Sequence, residues 1–314
     1  MRNLYKLLLA LTFTSMSLQS VAALPDKTTA AGDSITMGFA ANCTKNRYFW
    51  DLFCLLGGDQ PQHSWFDGWN TSVTSVHDRY KTLDSSIVAN KDAAKSGSEM
   101  LGGDNNFAVQ ASKIVAQSPK PDHVELILGG NDICNRDCTD PSHCSNPLYS
   151  ESQWRNAVRA GLDTLVQGLP TGSTVFLGSV PRVQDLRAAG LAKQSSNSSV
   201  RCENVWSSYD ICTIATSGST LNGETTAQRL AAISTAQRRY NEILAEEAVA
   251  YNSNSNGKNP QGIEVVADYV NESTPSTGTT TFGKDDIDGG DCFHPSLQGQ
   301  NKISQVMWNN NPDR

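Results

Sequence analysis

Three short apolar runs, at residues 124–128, 174–177 and 263–267, stand well apart in the chain, and the first two end on glycine. Each reads as a strand buried within a sheet. Between the first two, Ser150 and Gln153 make a capping box ahead of Trp154, Val158, Leu162, Leu165 and Val166, which fall at helical spacing until Gly168 and Pro170 stop them. Residues 226–250 predict a second helix, with Leu230, Ile233, Tyr240, Ile243 and Leu244 on its apolar face and Arg238, Arg239, Glu242 and Glu246 on its polar face. Strand, helix, strand, helix implies an α/β fold, a parallel sheet between layers of helices. Residues 87–89 are a weaker strand candidate. Residues 28–31 are weaker still, because Thr and Ala favour strands only modestly. Residues 186–223 break the alternation; rich in Ser, Asn and Thr, they read as an excursion from the core.

Residues 1–23 have the pattern of an export signal: basic Arg2 and Lys6, an apolar run at 7–11, and small residues ending at Ala23. That run is short of the roughly 20 residues a spanning helix needs. The expectation is an exported chain without stable membrane insertion, organised as one domain over residues 24–314. Without Arg2 and Lys6 the formal charge of -7 becomes -9, which argues against nucleic acid as a partner.

Eight cysteines in an exported chain read as disulfides. Spacing favours Cys43–Cys54 and Cys202–Cys212 as local closures, with Cys138–Cys144 and Cys134–Cys292 taking the remainder. A zinc site on Cys134, Cys138, His143 and Cys144 has suitable ligand types but is disfavoured in an oxidising compartment. The acidic run at 285–291 misses the calcium-loop spacing and is expected to be a solvated loop. Trp65, Phe66 and Trp69 are read as packed aromatics before substrate contacts.

The chemistry-bearing residues lie at opposite ends of the chain. Ser34, in Gly32-Asp33-Ser34-Ile35, sits where a strand turns sharply into the next segment, a place that exposes a hydroxyl and aims backbone N–H groups outward. Asn131, in Gly129-Gly130-Asn131-Asp132, follows a strand at the end where parallel sheets bind ligands. Gly97 offers a further backbone N–H, with Gly102 and Gly103 as competitors. An Asp three residues before a His occurs twice, at Asp140/His143 and Asp291/His294. The second pair precedes a predicted terminal helix at 296–308, which places it in a loop at the mouth of the sheet. Ser34, His294 and Asp291 then suit nucleophile, base and orienting carboxylate.

These four blocks, taken in order, resemble the GDSL or SGNH serine hydrolases. Gly130-Asn131-Asp132-Ile133-Cys134, Asp291-Cys292-Phe293-His294-Pro295-Ser296 and residues 65–74 look most like the phospholipase B-like branch. The resemblance implies a flavodoxin-like three-layer α/β/α fold and hydrolysis of acyl esters without a cofactor or metal. It implies Ser34, Asp291 and His294 as the catalytic residues. The oxyanion donors it implies are the N–H groups of Ser34 and Gly97 with the Asn131 side chain. Ile35 stands where the family name has Leu.

Overall fold

The structure is a computed structural model that describes residues 24–314 apart from 49–50, 52, 57, 135–147 and 256. The expected export signal, the Cys138–Cys144 pairing and the Asp140/His143 pair lie outside the described residues.

Five parallel strands form the sheet: β1 (Lys27–Gly32), β2 (Val88–Asn90), β3 (His123–Ile127), β4 (Thr174–Gly178) and β5 (Glu264–Ala267). Their order is β2-β1-β3-β4-β5, the flavodoxin-like order whose direction of growth reverses between β1 and β3. The three apolar runs of the sequence are β3, β4 and β5. The weak Thr-Ala segment is β1, paired on both sides and buried from Thr28 onward. Small side chains suit it, because helices pack on both faces of the sheet.

Those faces are set by strand alternation. Ala31, Val124, Leu126, Val175, Leu177 and Val265 point to one side. There they meet α2 (Phe107–Val115), α3 (Glu151–Gly168) and α6 (Thr226–Asn252). Ala30, Ile127 and Phe176 point to the other, against Trp65, Phe66, α1 (Val76–Leu83) and α7 (Leu297–Asn310). The result is three layers. The capping box of α3 is formed by Ser150 and Gln153, and Thr225 with Gln228 makes a second one on α6. Trp154 of α3 stacks on Tyr240 of α6 with ring centroids 4.1 Å apart and donates its indole N–H to the Tyr240 carbonyl. The stack is worth about 1 kcal/mol beyond the buried area. Trp65 and Phe66 are core residues, as read; Trp69 is exposed.

Residues 186–223 depart from the expectation. They fold as α4 (Leu186–Ser196), α5 (Cys202–Ser208) and a short turn of helix at Thr213–Thr216. Val200, Trp206, Ile214 and Ala215 enter the main core, so the segment is part of the packed structure despite its polar composition. Two disulfide expectations fall with it. Cys43–Cys54 forms, but Cys202 bonds Cys292 and Cys212 bonds Cys134. Neither Cys202–Cys212 nor Cys134–Cys292 exists, because burial of α5 carries the two cysteines to different loops. Cys134 in a disulfide also removes the zinc alternative.

The acidic run is not a solvated loop. Asp286, Asp288 and Asp291 are buried and their carboxyls serve the loop's own backbone. Asp286 Oδ2 accepts from the Gly283 N–H, and Asp288 Oδ1 from the N–H groups of Gly290 and Asp291. Among the described residues no cluster of candidate metal ligands occurs, and no helix is long and apolar enough to cross a membrane.

Candidate active site

The carboxyl ends of β1 and β3 open a crevice at the point where strand order reverses. Gly32 closes β1, and a Cβ there would lie 2.0 Å from Thr36 Oγ1, so only glycine lets the chain fold back this tightly. Gln110 of α2 clamps this strand end: its side chain accepts from the Gly32 N–H at 2.7 Å and donates to the Gly32 carbonyl at 3.0 Å. The next residues make a helical turn, with Met37 N–H on the Asp33 carbonyl and Phe39 N–H on the Ser34 carbonyl. Ser34 therefore sits at the head of a turn, buried except for its face on the cleft.

His294 arrives from a loop 260 residues away. Its Nε2 lies 2.7 Å from Ser34 Oγ, and its Nδ1 lies 2.6 Å from Asp291 Oδ2. The other Asp291 oxygen accepts the backbone N–H groups of Phe293 and His294, so the carboxylate fixes its own loop and the imidazole together. Cys292 between them has φ +56, a left-handed conformation uncommon for a side-chain-bearing residue. The Cys202–Cys292 bond and the Asn46 amide, which donates to the Gly290 carbonyl, hold the loop in that shape.

Electrostatics assign the proton positions. Burial lowers the affinity of His294 for a proton, but the charge and hydrogen bond of Asp291 outweigh it and raise the imidazole above its ordinary value of 6.5. Burial opposes ionisation of Asp291 as well, yet the adjacent imidazole and hydrogen bonds hold its carboxyl well below the usual range. Asp33, buried beside them, is pushed up to about 6 by desolvation. With Asp291 ionised, Nδ1 carries the proton and Nε2 keeps its lone pair for the Ser34 hydroxyl. A neutral imidazole is the state that can accept that proton. Activity that depends on it should rise with pH through a midpoint above 6.5, as a profile of kcat/KM will show.

Asn131 opens a short helix (Gly130–Cys134) after β3. Its Nδ2 donates to the Ser98 carbonyl at 2.9 Å, and an amide has a second hydrogen for a ligand. Neighbouring Asp132, its carboxyl pushed up to about 7 by burial, accepts from the N–H groups of Met100 and Leu101. The loop that bears Gly97 is thereby pinned to Asn131. Gly97 has φ +80, a backbone shape that favours glycine, and it lines a cleft with Ser34, Asn131 and His294; Gly102 and Gly103 do not line that cleft. Among the described residues the N–H groups of Ser34 and Gly97 have no protein acceptor.

Residues without a motif of their own complete the site. Phe39 lies against the His294 ring with centroids 4.6 Å apart, and its only signal was its position one turn after Ser34. The 186–223 segment supplies Tyr209, Asp210 and Ile211 to the cleft wall. The Cys134–Cys212 and Cys202–Cys292 bonds tie this segment to the Asn131 helix and to the His294 loop.

The GDSL-like lipase/acylhydrolase family model matches residues 29–307, and the chain belongs to that family. Among solved structures it is similar to a family two carbohydrate esterase from Clostridium thermocellum in complex with cellohexaose, at 13% identity and a TM-score of 0.43, over 91% of this chain and 63% of that one. It is also similar to an extracellular lipase from Streptomyces rimosus, at 16% identity and a TM-score of 0.42, over 90% of this chain and 98% of that one. The chain thus spans just under two thirds of the length of the carbohydrate esterase. A search of curated proteins found no match.

Proposed function

We propose that the protein is an exported serine esterase that cleaves acyl esters, of the lipid or lysophospholipid type, through an acyl-serine. The observation that carries this is the continuous chain Asp291–His294–Ser34, with contacts of 2.6 and 2.7 Å. Ser34 Oγ attacks the ester carbonyl while His294 Nε2 takes its proton, and Asp291 holds the imidazole and offsets the charge that forms. The developing oxyanion is met by the N–H groups of Ser34 and Gly97 and by the Asn131 amide. His294 then protonates the departing alcohol, and water repeats the sequence on the acyl-serine. This machinery draws on side chains and backbone alone, with no cofactor. Three disulfides among the described residues fit export.

The choice of a long acyl group rests on a cleft of about 470 Å³ beside Ser34 and His294, walled by Phe39, Leu56, Tyr209, Ile211 and Phe293. Burying a methylene is worth about 0.8 kcal/mol, or roughly fourfold in kcat/KM. A series of p-nitrophenyl esters should therefore gain about fourfold per CH2 from acetate upward until the cleft is full, and lysophospholipid should release fatty acid. A carbohydrate O-acetylesterase on the same machinery is the second reading. Acetate as the best acyl group, with acetyl release from decorated polysaccharide, would select it.

A further inference from the structure

Asp288 lies in the loop that bears the triad but outside the family motif. It is 1% exposed. Its backbone N–H donates to the His294 carbonyl at 2.8 Å, and Ile287 bridges Pro295, so residues 287–295 close on themselves with Asp288 folded under the Asp291–His294 turn. One carboxyl oxygen accepts from the N–H groups of Gly290 and Asp291. The other, Oδ2, is buried with no donor in reach, and the Asp291 carboxyl belongs to the residue whose own N–H is bound to Asp288 Oδ1, near enough for its charge to bear on Asp288. Two buried carboxyls so close in one loop resist ionising together, and an oxygen without a donor is where a proton belongs.

We propose that Asp288 is a positioning residue: as a neutral carboxylic acid it donates a hydrogen bond to the Asp291 carboxylate and so fixes the group that orients His294. Asp291 is the member of the pair that stays charged because it alone faces the imidazole and accepts the N–H groups of Phe293 and His294. Burial and the charge on Asp291 both raise Asp288 well above the ordinary carboxylate range. The other charges that bear on the pair leave it in this state. Lys193 of α4, whose field reaches Asp288, donates instead to the Lys284 carbonyl; Asp286 is paired with Lys302, and Asp285 is exposed beside Lys284. Asp33 and Asp59 act on His294 from the side of the β1 turn and the cleft. The arrangement is thus Asp288–H to Asp291⁻ to His294.

The inference rests on the triad reading, and the test separates the two. Wild-type turnover and covalent labelling by a serine-directed fluorophosphonate come first; an enzyme that neither turns over nor labels removes the triad itself. With a working wild type, Asp288→Ala should lower kcat per labelled site by about 10- to 100-fold with KM nearly unchanged. Asp288→Asn, whose amide N–H replaces the acid O–H and whose oxygen keeps both backbone bonds, should rescue most of that loss. The acidic midpoint of its kcat/KM profile should match the wild type. A fall in that midpoint by about one unit with Asp288→Asn would mean that an ionised carboxylate had been removed, and would overturn the proposal. Undiminished kcat per site in Asp288→Ala, with only a lower Tm, would reduce Asp288 to a loop stabiliser and overturn it too. Should Asp288→Ala fail to fold, the midpoint of Asp288→Asn decides alone.

Discussion

Ser34→Ala should abolish ester hydrolysis, lowering kcat by about 10⁴-fold or more while the fold persists. The substitution removes one oxygen from a side chain that faces the cleft and deletes its contact with His294 Nε2. It leaves in place the Gly32–Gln110 clamp and the backbone turn of Asp33 to Phe39. Stability should therefore change by about 1 kcal/mol or less, within the range of substitutions that create no large cavity. Residual rate above the uncatalysed reaction should survive, because the oxyanion donors and the acyl cleft are untouched. Thermal unfolding beside steady-state kinetics on one preferred ester checks both halves of the expectation.

Asp291→Asn should cost about 10³- to 10⁴-fold in kcat with little change in KM. An amide at this position still accepts from the N–H groups of Phe293 and His294, so the loop keeps its turn. Toward the imidazole the substitution reverses the hydrogen bond. The amide N–H donates to Nδ1, the ring proton moves to Nε2, and Nε2 can no longer take the proton of Ser34. The lost carboxylate also withdraws the charge that raises His294, so the small residual activity should show its acidic midpoint shifted down. Asp291→Ala should lower kcat by a similar factor and stability as well, since two backbone N–H groups lose their acceptor.

Much of this was legible in the chain. β3, β4 and β5 announced themselves because strands covered on both faces are mostly apolar, as Leu126 to Leu128 and Val175 to Leu177 are. β1 was nearly silent: Thr28, Thr29, Ala30 and Ala31 pack in a crowded centre where small size matters more than strand preference. The meeting of Ser34 and His294 was legible from residue types and from place in the sheet. The disulfides were not. Loop closure depends only weakly on loop length, so the nearness of Cys202 to Cys212 in sequence had little weight against the packing of Trp206 and Ile214, which sends each cysteine to a different loop. The acidic run misled for a related reason. Its carboxyls look hydrated in sequence, yet Asp286 and Asp288 are consumed by the backbone of the loop they belong to, and that geometry exists only once the loop has closed.

The central claim is that Ser34, activated by His294, carries the acyl group. Its most direct measurement is mass spectrometry of the protein after reaction with a fluorophosphonate or with a slowly deacylating aryl ester, followed by peptide mapping. One adduct per molecule is expected on the peptide that contains Gly32-Asp33-Ser34-Ile35, absent in Ser34→Ala and strongly slowed in Asp291→Asn. An adduct on another residue, or continued turnover by a protein that carries none, would contradict it.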